Sequence, residues 1–212
     1  MDIIGGDYMY TGIVQGVGQI IDILDQDKLR TYKVKFPHKL TSNLEIGASI
    51  ANDGCCLTVT GFEDDWVTFD LMEETLALTT LGDKKINDYV NIERSAKYGD
   101  EIGGHVMSGH VSCTATIVDI QKTATNCEMT LELPEQFMKY VLYKGFIGID
   151  GASLTIGDIK QNRFEIHLIP ETLAITTLNT KKVGDKVNIE IDSQTRAIVD
   201  TVERVLASKK LN

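Results

Sequence analysis

The chain is written twice. Gly54-Cys55-Cys56-Leu57-Thr58 is matched by Gly151-Ala152-Ser153-Leu154-Thr155, and Glu74-Thr75-Leu76-Ala77-Leu78-Thr79-Thr80-Leu81 by Glu171-Thr172-Leu173-Ala174-Ile175-Thr176-Thr177-Leu178, each at an offset of 97 residues. Val90-Asn91-Ile92-Glu93 recurs as Val187-Asn188-Ile189-Glu190, Thr11-Gly12-Ile13-Val14 meets Ser108-Gly109-His110-Val111, and Pro37 meets Pro134 at the same spacing. One constant offset along nearly the whole chain requires two copies of one domain joined without insertion, because a period of this length is a domain and not a solenoid repeat or propeller blade. The total of 212 residues fits two domains of about 100 residues each. The division is placed at 9–105 and 106–192, after an extension at 1–8 and before a tail at 193–212.

Within a half, strand signals dominate. Ile13-Val14, Lys33-Val34-Lys35-Phe36, Leu57-Thr58-Val59-Thr60, Trp66-Val67-Thr68-Phe69 and Val90-Asn91-Ile92-Glu93 are short runs rich in β-branched and aromatic residues. Turn signals separate them at Gly47, at Gly61 with Glu63-Asp64-Asp65, and at Gly82-Asp83. About six short strands in under about 100 residues point to an all-β chain of two tandem six-stranded Greek-key β-barrels. A short helical turn is expected around Glu135–Tyr140. The tail departs from this pattern. Ile198, Val199, Val202, Val205 and Leu206 form the stripe of an amphipathic C-terminal α-helix, to be packed on its own barrel or on another subunit.

Charge narrows the partners. With 21 basic against 31 acidic residues the net charge is −10, which argues against nucleic acid and anionic membranes as partners. No run is long and apolar enough to span a membrane, and no signal peptide is visible, so a cytoplasmic protein is expected. Cys55, Cys56, Cys113 and Cys127 lack C-x-x-C spacing and read as reduced thiols. His105 and His110 lack the acidic or thiol cluster that a metal site needs, so no metal is expected.

The repeated motifs are not phosphate loops or dinucleotide fingerprints; they offer hydroxyls, a thiol and backbone groups, the kit for a neutral polar ligand. For Thr79, Thr80, Thr176 and Thr177 the plainer reading is strand formation. The copies differ where chemistry could reside: Cys56 faces Ser153, Ile13 faces His110, Ser49 faces Phe146 and Ser95 faces Asp192. Unlike groups in two otherwise equal sites suit a reaction between two like molecules treated unequally. Two have a plainer alternative: Cys56 as a small buried hydrophobe, Asp192 as the cap of a helix starting at Ser193.

Met9-Tyr10-Thr11-Gly12-Ile13-Val14, Asn52 to Thr60, Glu101-Ile102-Gly103-Gly104-His105-Val106-Met107-Ser108-Gly109-His110 and Tyr143 to Gly151 closely resemble the riboflavin synthase family, in particular the alpha chain of bacterial enzymes. The resemblance runs from Met9 to about Ser208. It implies two Greek-key barrels, a homotrimer held by the C-terminal helices, and an active site between the first barrel of one subunit and the second barrel of its neighbour. Each barrel is implied to bind one 6,7-dimethyl-8-ribityllumazine, so that two meet in each active site. A four-carbon unit then passes between them, giving riboflavin and 5-amino-6-(D-ribitylamino)uracil without any cofactor.

Carried over, the ligand-contacting positions are Tyr10, Thr11, Gly12, Ile13 and Val14, with Cys56, Leu57, Thr58, Asp70, Leu71, Met72, Glu73, Glu74 and Thr75 in half one. In half two they are Gly109, His110, Val111, Ser153, Leu154, Thr155, Ile169, Pro170, Glu171, Thr172, Leu173 and Ala174, with Lys144 reaching a neighbour's ligand. Ser49, Cys56, His110, Thr155 and Asp192 match the catalytic positions: His110 or Thr155 for methyl deprotonation, Ser49 or Cys56 near the adding nucleophile, Asp192 as an orienting group. Tyr10 stands where the family usually has Phe. Two other readings share the fold, a non-catalytic lumazine or flavin antenna with one chromophore per chain and a storage module. Association with lumazine synthase is left open.

Overall fold

The structure is a computed structural model that describes residues 9–123 and 125–209; the expected extension at 1–8 and the end of the tail at 210–212 lie outside the described residues. Each half closes into a six-stranded antiparallel barrel. The first comprises β1 (Gly16–Gln26), β2 (Leu29–Lys35), β3 (Ser49–Asn52), β4 (Cys55–Glu63), β5 (Trp66–Met72) and β6 (Tyr89–Arg94), in the closed order β1-β2-β5-β4-β3-β6. The second comprises β7 (Cys113–Lys122), β8 (Cys127–Glu132), β9 (Phe146–Ile149), β10 (Ala152–Lys160), β11 (Arg163–Leu168) and β12 (Lys186–Ile191), in the order β7-β8-β11-β10-β9-β12. Closure leaves no sheet edge unpaired.

Register shifts fall at equivalent places, Ile20/Asp22 in β1 and Ile117/Asp119 in β7, Val59/Gly61 in β4 and Ile156/Ile159 in β10. Such irregularities bend a strand and let a small barrel close. Gly61, expected in a turn, lies at one of them inside β4, and the chain reverses at Asp64-Asp65 instead. Inward residues alternate along the strands: Tyr32, Val34, Val67, Phe69 and Leu71 in the first core, Met129, Leu131, Phe164, Ile166 and Leu168 in the second.

Each core also takes a residue from the other half. Val14 packs in the second core and Val111 in the first. Ile13-Val14, expected as a strand, is therefore part of a crossing segment, and pairing begins only at Gly16. Tyr10 and Met107 meet there as an isolated antiparallel bridge, exchanging backbone hydrogen bonds of 2.8 and 2.9 Å.

The Glu-Thr-Leu motifs form α1 (Glu73–Leu78) and α2 (Pro170–Ile175), each followed by a 3-10 turn, at Thr80–Asp83 and Thr177–Thr180. The repeated threonines are caps and turn residues, not strand residues. Thr79 Oγ1 accepts from Leu81 N–H and donates to Thr75 O, and Thr176 does the same with Leu178 and Thr172. A hydroxyl that satisfies backbone groups at a helix end outweighs β propensity. Between the barrels, Asp53 and Asp150 are fully buried; one oxygen of each accepts from Asn91 or Asn188 N–H, and the other pairs with Lys84 at 2.7 Å or Lys181 at 3.0 Å.

The tail forms α3 (Ser193–Lys209). Lys139 and Tyr140 hold it through Glu203 and Asp200, while Ile198, Val202, Val205 and Leu206 remain exposed. Among the described residues no helix is long and apolar enough to cross a membrane.

Candidate active site

Cys56 and Ser153 occupy the same place in the two barrels, the second residue of β4 and of β10. Their neighbours Cys55 and Ala152 point into the cores, so strand alternation turns Cys56 and Ser153 outward, where both are half-buried. What covers each is the leading segment of the other half. Cys56 N–H donates to Gly109 O at 2.9 Å, and Ser153 N–H to Gly12 O at 2.8 Å. Gly12 and Gly109 have φ of +72° and +77°, and a Cβ there would stand 2.4 Å from Ser153 Cβ and 2.5 Å from Cys56 Cβ. Only glycine permits both the backbone conformation and the approach.

Two buried glutamates hold these segments. Glu93 on β6 accepts from Thr11 N–H at 2.7 Å, Thr11 Oγ1–H at 2.9 Å and Gly12 N–H at 3.2 Å. Glu190 on β12 accepts from Ser108 N–H at 2.6 Å, Ser108 Oγ–H at 2.9 Å and Gly109 N–H at 3.0 Å. Burial pushes both carboxyls above the ordinary glutamate value, and these donors act against it. The clamps present Ile13 and His110, both exposed, on opposite barrels.

On the first barrel this builds a cavity of about 240 Å³ lined by Cys56, Glu74, Thr75, Gly109, His110 and Val111, among others. The four cysteines separate clearly. Burial pushes the Cys55 and Cys113 thiols up to about 12, and Cys127 upward too, which leaves them inert packing groups. Cys56, which shares the cavity lining with Cys55, is turned away from the core, and Tyr10 Oη donates to its Sγ at 3.1 Å. Burial, aided by Cys56 and Glu93, holds the Tyr10 hydroxyl far above the ordinary tyrosine value, so it remains a donor.

The remaining expected catalytic residues lie elsewhere in the chain. Ser49 is buried on β3 opposite Thr58, its hydroxyl without a hydrogen-bond partner among the described residues. Thr155 is exposed on β10 opposite Phe146. Asp192 caps α3, its Oδ2 accepting from Thr195 N–H at 2.8 Å and Thr195 Oγ1–H at 2.7 Å. Burial alone would raise the Asp192 carboxyl; the Thr195 and Gln194 donors and nearby His105 outweigh it and hold it below the ordinary aspartate value. None of the three lines the Cys56 cavity.

Of the expected ligand positions, Leu57, Leu71, Leu154, Val14 and Val111 are core residues. Thr58, Asp70, Met72, Glu73, Glu74, Ile169, Pro170, Glu171 and Ala174 are exposed, Thr75, Thr172 and Leu173 half-buried, and Lys144 sits exposed on a turn. Pro170, Leu173 and Ala174 border a second cavity of about 320 Å³ with Asn126 and Cys127.

Glu93, Glu190 and His105 escape a reading of the sequence. For the glutamates the signal is present: an acidic residue kept in both copies of Val-Asn-Ile-Glu, directly after a buried apolar position. His105, weighed only as a metal ligand, is buried with Nδ1 2.6 Å from Ser153 Oγ. Glu128, Glu165 and His167 could together hold a cation on the outside of the second barrel, yet none of them borders either cavity.

Residues 11–95 and 108–192 each match the lumazine binding domain family. The riboflavin synthase of Escherichia coli strain K12 is 54% identical over 203 residues, covering 95% of both chains. The chain belongs to the riboflavin synthase family. Two solved structures of LumP also share its fold. The complex with 6,7-dimethyl-8-(1'-D-ribityl) lumazine gives a TM-score of 0.79 at 27% identity, covering 87% of this chain and 99% of that one. The complex with riboflavin gives 0.79 at 30% identity, covering 86% and 98%. Against the family's synthases the similarity is thus much higher than against these chromophore complexes, and the enzyme reading is favoured over the antenna.

Proposed function

We propose that the chain is a transferase that converts two 6,7-dimethyl-8-ribityllumazine molecules into riboflavin and 5-amino-6-(D-ribitylamino)uracil. The observation that carries this reading is the exchange of leading segments, which sets the Gly109-His110 segment against Cys56 on the first barrel and the Gly12-Ile13 segment against Ser153 on the second, unlike groups at equivalent places. Cys56 and His110 stand over the first; Ser153, His105 and Ile13 stand over the second. A four-carbon unit passing between identical reactants needs one to act as donor and the other as acceptor, so a difference between sites is what the reaction requires. Atoms balance over the two products, and no net oxidant or reductant is consumed.

Much of the acceleration would come from holding two rings face to face, where effective molarity supplies up to about 7–11 kcal/mol. The methyl beside the ribityl-bearing nitrogen is acidic because its anion spreads into an electron-poor ring, so a modest base suffices. His110, which lines the cavity with Cys56, serves that proton transfer, with Thr155 as the other choice; Cys56 or Ser49 serves the added nucleophile. Asp192 orients a hydroxyl or a proton relay. Acid–base help of this kind adds about 10²–10⁴-fold.

The complete site takes the first barrel of one subunit and the second barrel of another in a homotrimer. Support comes from the separation of Cys56 and His110 from Thr155 and Asp192 within one chain, and from the bare apolar stripe of α3. Lys144 reaches across to the neighbour's ligand. The domain division lies at 105/106, the enzyme works in the cytoplasm, and lumazine synthase is a candidate associate because it would supply the substrate. Turnover of purified lumazine to riboflavin, without added metal or cofactor, tests the reading.

A further inference from the structure

His105 is a buried titratable group beside Ser153 to which this chemistry assigns no proton transfer. It is 7% exposed, its ring stacks on Phe146 with centroids 5.3 Å apart at 14°, and its Nδ1 lies 2.6 Å from Ser153 Oγ. Its other ring nitrogen, Nε2, is buried with no hydrogen-bond partner among the described residues. Burial holds the imidazole below the ordinary histidine value, with Asp192 the one charged group acting against this, so the ring is neutral near pH 7.

A neutral imidazole has one N–H and one bare nitrogen. A buried N–H without an acceptor is the rarer and costlier defect; a buried lone pair is tolerated more readily. The proton therefore belongs on Nδ1, pointing at Ser153, with bare Nε2 in the unpartnered position. Ser153 Oγ then accepts from His105, and its own hydrogen is free to point outward. The first barrel repeats this logic with different residues. There Tyr10 Oη–H donates to Cys56 Sγ, leaving the S–H hydrogen free toward the cavity.

We propose that His105 is a positioning residue for Ser153: as the Nδ1–H tautomer it donates to Ser153 Oγ and so presents the serine hydroxyl as a hydrogen-bond donor to a carbonyl oxygen of the ring bound at the second barrel. The identity of that ring rests on the function proposed above; the tautomer does not. Tyr10 plays the matching part for Cys56. Positions 56 and 153 thus both act as donors although one is a thiol and the other a hydroxyl, and each is oriented from a crossing segment.

The test has two arms. In protein labelled with ¹⁵N-histidine, nitrogen–proton correlation spectra near pH 7 report which ring nitrogen of His105 carries the proton. Protonated Nδ1 with bare Nε2, and a change in that Nδ1 signal in Ser153→Ala, are expected; a proton on Nε2 overturns the proposal. In the second arm lumazine is titrated by fluorescence into His105→Leu and His105→Asn. The leucine cannot donate and should weaken the second-barrel site about five- to tenfold, whereas the asparagine amide can donate and should stay within about threefold of wild type. Equal binding by both variants and the wild type contradicts the proposal. If His105→Leu does not fold, the tautomer in the wild type decides. A chain with the expected tautomer that binds no lumazine refutes the proposed function and leaves the His105–Ser153 bond standing.

Discussion

Asn91 and Asn188, equivalent residues on β6 and β12, each direct their side-chain amide to the opposite barrel. Asn91 Nδ2 donates to Asp150 O at 2.8 Å and its Oδ1 accepts from Thr177 N–H at 2.7 Å; Asn188 makes the same two bonds to Asp53 O at 2.9 Å and Thr80 N–H at 2.7 Å. This reciprocal exchange ties together two barrels that share no strand. Asparagine suits the place because one short planar group offers both a donor and an acceptor.

Asn188→Ala removes both bonds and leaves the buried N–H of Thr80 and the carbonyl of Asp53 unpaired. A loss of about 2–4 kcal/mol is expected, as a lower denaturation midpoint in urea. A change under about 0.5 kcal/mol would show that the barrels are held by other means.

The Lys84–Asp53 and Lys181–Asp150 pairs predict a response to alkali. Burial alone would lower both lysines, but the two aspartates outweigh it and raise them above the ordinary value of 10.5. A folded pKa above the unfolded one gives stability that is full below 10.5 and lost as pH rises through the folded values. Denaturation midpoints should therefore fall above about pH 10.5, and Lys181→Met, which strands a buried carboxylate, should cost about 3–5 kcal/mol at neutral pH. A midpoint unchanged by the substitution would contradict the pairing.

Asp192 has a structural duty besides its proposed catalytic one, and the two can be separated. Its folded pKa lies below the ordinary 3.8, so its contribution is present above that value and lost as pH falls through the lower folded one. Asp192→Ala should cost about 1 kcal/mol of stability, and Asp192→Ser, which keeps a capping oxygen, should restore most of it. Turnover is expected to fall in both. Full turnover in the serine variant would reduce Asp192 to a cap.

Val202→Asp places a charge in the stripe of α3, where Ile198, Val202, Val205 and Leu206 stay exposed among the described residues. Sedimentation should show trimer in the wild type and monomer in the variant, with turnover lost and first-barrel lumazine binding retained. A variant that remains trimeric would remove α3 from the interface.

The duplication was legible because a fixed offset survives any change of environment, and strand alternation then supplied two barrels. The C-terminal helix was legible from its stripe. What escaped was the crossing: Ile13-Val14 looks like a strand because Val14 is a core residue, and nothing local reveals that its core is the other barrel's. The repeated threonines misled for a related reason, since the hydroxyl's capping bonds are not visible in a β propensity. Ser49, Cys56, His110 and Asp192 stand out when the copies are compared, and Thr155, identical to Thr58, only through the family resemblance, but the grouping of these residues is not visible either way. Cys56 joins His110 through tertiary exchange, and the position 97 residues before His105 is Tyr8, in the extension ahead of the repeat.

Two unlike ring sites acting on two like molecules fix the stoichiometry of the proposed reaction. Purified protein mixed with 6,7-dimethyl-8-ribityllumazine alone, followed by absorbance and chromatography, should yield one riboflavin for every two lumazines consumed. Tight binding with no riboflavin formed would contradict it and return the chain to the antenna or storage class.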